Sequence, residues 1–297
     1  MFSTFWALQI FTAKLGFNAG AVVLPFQLML VLSAMLTLAI LLLPRSGAEL
    51  GSLFKRQPGI FWQLFLANGI QAGVGTGLSI IGIALTEAIN AGFLVKLASV
   101  STILFAWLLL KERLTGLKMA VAFTMLLGMY LLTTKGERLL PQTGDLLILG
   151  ACVCWSLGNV LVRRILKTQA VSADAVTMQK PVSSLPVYAI LVGLSIAYPG
   201  KLGSLQPVLQ CCTFSPTSLP YALASGICLA LAWIYLYRTL RLASASYMTL
   251  MSMVTPILVS VLALVFLGER LVWIQVGGAG LILLSGVLVY LSDVVNG

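Results

Sequence analysis

The chain has 297 residues, of which 60% are hydrophobic and 9% charged, with no histidine and a formal net charge of +10. Soluble domains carry about 25% charged residues, so a chain this poor in charge cannot clothe a water-facing surface. The composition excludes an ordinary soluble enzyme and predicts an all-α integral membrane protein, and the basic residues, in short clusters between apolar runs, suit topology signals better than nucleic-acid binding.

In chain order the apolar windows run over 2–17, 22–43, 60–83, 88–110, 115–133, 144–167, 172–198, 217–240, 244–266 and 271–292. Most approach the roughly 20 residues a helix needs to cross a hydrocarbon core, so ten transmembrane helices are expected. Pro44, Pro58, Pro141, Pro199 and Pro216 punctuate the breaks, where a missing amide proton does little harm. The first window is short for a span. Its counterpart, 144–167, carries Trp155 where the first carries Trp6, so a short or frayed first helix is expected unless an extension precedes it. No basic segment precedes the first apolar run, and no cleavable secretory signal is expected.

Lysine and arginine are distributed unevenly between the windows. Arg45, Lys55, Arg56, Lys111, Arg113, Lys118, Arg163, Arg164, Lys167, Arg238 and Arg241 fall on one side, and Lys14, Lys135, Arg138, Lys201 and Arg270 on the other. The richer side is expected to be cytoplasmic, which makes this a multi-pass protein of the plasma (cell inner) membrane with both termini in the cytoplasm. Cys152, Cys154 and Cys228 read as small apolar packers. With no histidine and no C-x-x-C pair, neither a metal site nor a cofactor is expected.

Two charged interruptions resemble each other: "LLLKERLTGLK" at 108–118 and "VFLGERLVWIQ" at 265–275. Aligning Glu112 with Glu269 lays 84–114 against 241–271; Leu85 meets Leu242, Ala88 meets Ala245, Ser99 meets Pro256, and Glu112-Arg113-Leu114 meets Glu269-Arg270-Leu271. Five windows separate equivalent points, and an odd number turns the second copy upside down. The chain therefore reads as two inverted five-helix repeats, 1–135 and 142–293, a plan common in secondary transporters. Glu112 and Glu269 either cap helix ends and pair with the adjacent arginines in the headgroup zone, or act as gates together with Pro256.

These paired blocks, each ending in L-x-E-R-L or its near equivalent, resemble the two EamA domains of the drug/metabolite transporter superfamily, over nearly the whole chain. The resemblance implies a ten-helix inverted-repeat carrier that moves small metabolites, often amino acids, out of bacteria. Ser99 in place of a proline and the short first window are departures from the pattern.

Lys96 and Lys180 lie inside apolar windows. A lysine at a helix centre costs about 2.5–3.5 kcal/mol on insertion scales, so each either faces a wet cavity or snorkels to the headgroups. Lys96 aligns with Met253. Lys180 sits in "MQKPVSS" beside Gln179, which aligns roughly with Gln27, and Pro181 after it is expected to bend the helix. Trp6, Asn68, Gln71, Asn90, Trp155, Asn159, Tyr188 and Trp233 are candidate cavity walls. Gly73 and Gly77 with Gly277, Gly278 and Gly280 suit close helix approach rather than phosphate binding. No Asp or Glu lies deep in a window, which disfavours proton-coupled cation carriers and tilts the substrate toward an anion or zwitterion. The expected function is a secondary transporter, an exporter or exchanger, working as a monomer or homodimer on a small-molecule substrate by alternating access. A carrier of cationic drugs and a channel are the alternatives. No catalytic acid/base or metal cluster is visible, so no enzyme is expected.

Overall fold

Apolar runs bounded by proline, glycine and short polar segments leave the backbone no solvent to bond with in lipid, so every run closes its hydrogen bonds internally as a helix. The computed structural model describes residues 1–86, 93–112, 115–140, 142–169, 171–210, 215–268 and 272–296. The longer helices among these residues group into ten rods, and a short helix, Gln206–Leu209, lies between the seventh and the eighth. The first half contains α1 (Phe2–Asn18), α2 (Val23–Arg56) and α3 (Pro58–Asn68, passing through a π-helical segment Gly69–Gly75 into Thr76–Ala84). It ends with α4 (Ala98–Leu110, entered by a 3-10 turn Val95–Leu97) and α5 (Gly116–Thr134). The second half contains α6 (Thr143–Thr168), α7 (Ala173–Ala197), α8 (Leu219–Leu242), α9 (Ala245–Ser252, broken and resumed as Thr255–Leu267) and α10 (Trp273–Asn296).

Six segments are long and apolar enough to cross a membrane: Val23–Arg56, Pro58–Ile83, Thr143–Thr168, Ala173–Ala197, Pro216–Leu242 and Ala245–Leu267. Three shorter apolar helices, Val95–Leu110, Met119–Thr134 and Trp273–Leu288, accompany them. The outer surface is apolar, with Ile40, Phe123, Ile190, Phe266 and Leu284 all exposed, as a lipid-facing wall requires. α1 has 17 residues against 26 in its counterpart α6, so the first rod is the short one. One break is misplaced by the sequence reading. Pro44 lies inside α2, which continues to Arg56 as a 34-residue helix. Proline fixes a φ compatible with a helix and removes only one amide, so the helix runs on past it.

The repeat is visible in the backbone. Ala98–Leu110 and Thr255–Leu267 each have 13 residues and start 157 positions apart. Both end on a left-handed residue, Lys111 (φ 53) and Gly268 (φ 66), whose amides bond to the Ala106 and Ala263 carbonyls. The next helices start at Gly116 and Trp273, again 157 apart. Glu112, just after the end of α4, touches the start of α9, and Gln275 near the start of α10 donates to the Leu132 carbonyl near the end of α5. Equivalent rods are thus antiparallel, and the two halves are inverted. The halves interleave: α1 packs on α8 as α6 packs on α3, α1 on α9 as α6 on α4, and α2 on α8 as α7 on α3. The α5–α10 pair closes tightest at Gly128 and Gly278, where a Cβ on either would lie 2.7 or 2.5 Å from the other's carbonyl oxygen. Gly73 and Gly77 admit Val187 of α7, whereas Gly277 and Gly280 face open space.

Candidate functional site: a central cavity with two lysines

A cavity of about 700 Å³ lies between the halves. Gln27, Lys96, Trp155, Asn159, Lys180 and Tyr188 line it, as do Trp6, Gln71 and Trp233. Gln179 does not. Its side-chain amide donates to the Phe61 carbonyl at 3.0 Å, and its side-chain oxygen is buried without a partner. Helix geometry accounts for this, since adjacent residues point about 100° apart and only one of Gln179 and Lys180 can face the cavity. Asn90 lies outside the described residues.

Lys180 is 2% exposed. Its Nζ donates to Gln71 Oε1 at 2.8 Å and lies 5.1 Å from the Trp233 ring centroid and 4.8 Å from that of Tyr237. Gln71 Nε2 donates in turn to Asn159 Oδ1. The Tyr237 hydroxyl lies 2.6 Å from Asn68 Oδ1 and 3.0 Å from Gln71 Oε1, so one proton serves two acceptors. This network joins α3 of the first half to α6, α7 and α8 of the second. Local backbone places its members. The π-helical turn Gly69–Gly75 turns Gln71 inward, and such turns recur at functional sites. Gly158 on α6 lets that turn approach: a Cβ there would meet the Gln71 Cβ at 2.5 Å. Pro181 removes an amide just after Lys180. The Ser183 and Ser184 hydroxyls bond to the Gln179 and Pro181 carbonyls within the same helix, which runs on through Pro181.

Lys96 sits on the 3-10 turn Val95–Leu97 at the entry to α4, half-buried at the cavity wall. Met253, 157 positions later, occupies the break in α9 and lines the same cavity. Cys152 packs against the first break, its thiol donating to the Leu94 carbonyl at 3.3 Å.

Glu112 is not in the cavity. Its carboxylate accepts from the Ala245 and Ser246 amides at 3.0 and 3.3 Å and from the Ser246 hydroxyl at 2.8 Å, and lies 3.4 Å from Arg163 Nε. Glu112 therefore caps the N-terminus of a helix in the other half, and its ion partner is Arg163 of α6. The sequence reading expected the adjacent Arg113, which lies outside the described residues. Burial works to raise the Glu112 pKa, but the Ala245 amide, the Ser246 hydroxyl and amide and the Arg163 charge together outweigh it and hold the carboxyl below the usual carboxylate range. A second acid on α2 does the same for α7: Glu49 accepts from the Ser172 amide and hydroxyl, both at 2.6 Å. Glu269 lies outside the described residues; Pro256 opens the second segment of α9, where a missing amide is harmless. Gln71, Tyr237, Arg163 and Glu49 were not identified by the sequence as a network or as caps. Only Tyr237, one helical turn beyond Trp233, carried a spacing signal.

A bundle that is helical throughout its described residues, with an apolar outer wall and two inverted halves around a largely apolar cavity that carries two lysines, is the build of a membrane carrier. The EamA-like transporter family matches residues 1–134 and 142–291, and the chain belongs to that family. It is similar to "Uncharacterized transporter YyaM" of Bacillus subtilis (strain 168), at 30% identity over 95 residues. The match spans 30% of this chain and 31% of that protein's length. A solved crystal structure superposes on 98% of this chain and 94% of its own with a TM-score of 0.73 at 18% identity, a likeness of fold. The chain is thus a multi-pass membrane transporter.

Proposed function

We propose that the protein is a secondary transporter that exports or exchanges a small anionic or zwitterionic metabolite by alternating access, in the plasma membrane, with both termini cytoplasmic. The observation that carries this reading is Lys96, an ammonium at the cavity wall on the 3-10 turn that enters an apolar helix, in a cavity also lined by Lys180. A charge at that depth needs solvent or a counter-charge, and a substrate carboxylate or phosphate supplies one. The interlocked caps support the motion. Glu112 and Glu49 bind helix starts in the opposite half, so rocking one half against the other makes or breaks those contacts on one face. The cationic-drug alternative loses support because none of the described cavity-lining side chains is Asp or Glu.

The test is counterflow in proteoliposomes loaded with candidate organic acids and amino acids. Saturable uptake driven by internal substrate supports the carrier. Conductive flux without saturation would identify a channel and reject the proposal.

A further inference from the structure

The two lysines of the cavity have different surroundings. Lys180 is surrounded by an amide oxygen and two aromatic faces. The amide oxygen and the two ring faces offset part of the cost of burying this ammonium. Lys96 has no hydrogen bond or ion pair to a described residue and is open to the cavity. It is therefore the lysine open to a ligand, while Lys180, on the same cavity, is held by its own partners.

The described acids are elsewhere; Glu87, Glu269 and the side chain of Asp293 lie outside the described residues. Glu49 and Glu112 cap helices, Asp145 binds the Gln142 amide, and Asp174 pairs with Arg238; none of them, nor Glu137, lines the cavity. An amino acid entering this site brings an ammonium of its own toward two others. Like charges repel more strongly in a site of low effective dielectric than in water. That repulsion offsets part of what its carboxylate gains from the lysines. A carboxylate without an amine keeps the whole gain. Trp6, Trp155, Trp233 and Tyr188 give the cavity broad flat walls, which suit an apolar or aromatic body.

Resting on the transport reading above, we infer that the substrate is an organic carboxylate with a flat apolar body and no ammonium group, its carboxylate on Lys96 Nζ.

Three probes share one phenyl skeleton and differ only in charge: 3-phenylpropanoate, phenylalanine and phenethylamine. Their dissociation constants are measured by calorimetry on the full chain in nanodiscs. The acid is expected to bind at least tenfold more tightly than phenylalanine, and the amine weakest. Lys96→Met is expected to weaken the acid at least tenfold while Lys96→Arg stays within a few-fold; a thermal melt of each variant confirms folding. Phenylalanine binding as tightly as the acid, acid affinity unchanged in Lys96→Met, or no binding of any probe by folded protein would each overturn the inference. Counterflow separates the two levels. Acid-selective binding without counterflow would reject the transport reading and leave the charge selectivity standing. Counterflow that prefers phenylalanine would do the reverse.

Discussion

Where the fourth rod breaks, at Val95–Leu97, Lys96 enters the cavity; where the ninth rod breaks, between Ser252 and Thr255, Met253 enters it from the inverted position. The helices that follow are both 13 residues long and end on matched left-handed residues. The backbone has kept the twofold relation while the chemistry at the break has diverged. Of the two breaks only the first carries a charged side chain; the second presents Met253 between Ser252 and Thr255. On the proposed transport reading, the symmetric scaffold supplies the moving parts and the departure from symmetry supplies selectivity.

The largest expected effect of breaking this relation is at Glu112. Glu112→Ala takes the carboxylate off the Ala245 and Ser246 amides, leaving Ser244 as the remaining cap of α9, and leaves Arg163, 4% exposed, without its carboxylate. Arg163 retains its bond to the Leu240 carbonyl, so a loss of about 3 kcal/mol is expected. It should appear as a lower melting temperature in detergent. The same group sets an acid limb. Its folded pKa is depressed, so its contribution is full above the usual carboxylate range and drains away as pH falls through that range and below it. Glu112→Gln should flatten that limb, and a melt series from neutral to acid pH checks it. An unchanged limb would remove Glu112 from the account.

Next in size is the self-paired contact of the two halves. Gly278→Ala puts a methyl 2.5 Å from the Gly128 carbonyl and should cost about 1–3 kcal/mol, whereas Gly277→Ala faces open space and should be neutral or slightly stabilising. Equal melting temperatures for the two variants would reject the close approach of α5 and α10.

The smallest effect sharpens the comparison of the two caps. Lys111 holds a left-handed φ of 53 that Gly268 holds at its equivalent position without strain. Lys111→Gly should stabilise by up to about 1 kcal/mol, reduced by the extra freedom of glycine in the unfolded chain. The same melting assay reads it, and a fall would show that Lys111 contributes a contact through its side chain.

Much of the fold was legible in the sequence because lipid forces one solution on an apolar run, and because the Glu112/Glu269 match spaces the repeat correctly over 157 residues. The register of that match reappears as two left-handed caps. Pro44 misled because a proline that would end a helix in water is tolerated within a membrane-spanning one, where local adjustment re-satisfies the freed backbone. At the site, Lys96 and Lys180 were legible from the cost of burying charge in an apolar window. Their partners were not. Gln71 reaches Lys180 only because a π-helical turn rotates it inward, and Glu112 reaches Ala245 only because the halves interleave. Both contacts are set by packing between segments more than 100 residues apart, where no local period carries information. Gln179, adjacent to Lys180 in sequence, points away from the cavity for the same local reason that Lys180 faces it.

The central claim is that charge at one break, and not at its twin, selects the substrate. Counterflow of 3-phenylpropanoate in proteoliposomes tests it most directly, comparing wild type with Lys96→Met, which makes the two breaks chemically alike. The account predicts at least a tenfold rise in the half-saturating concentration for Lys96→Met at an unchanged melting temperature. Counterflow with unchanged half-saturation in that variant would contradict it.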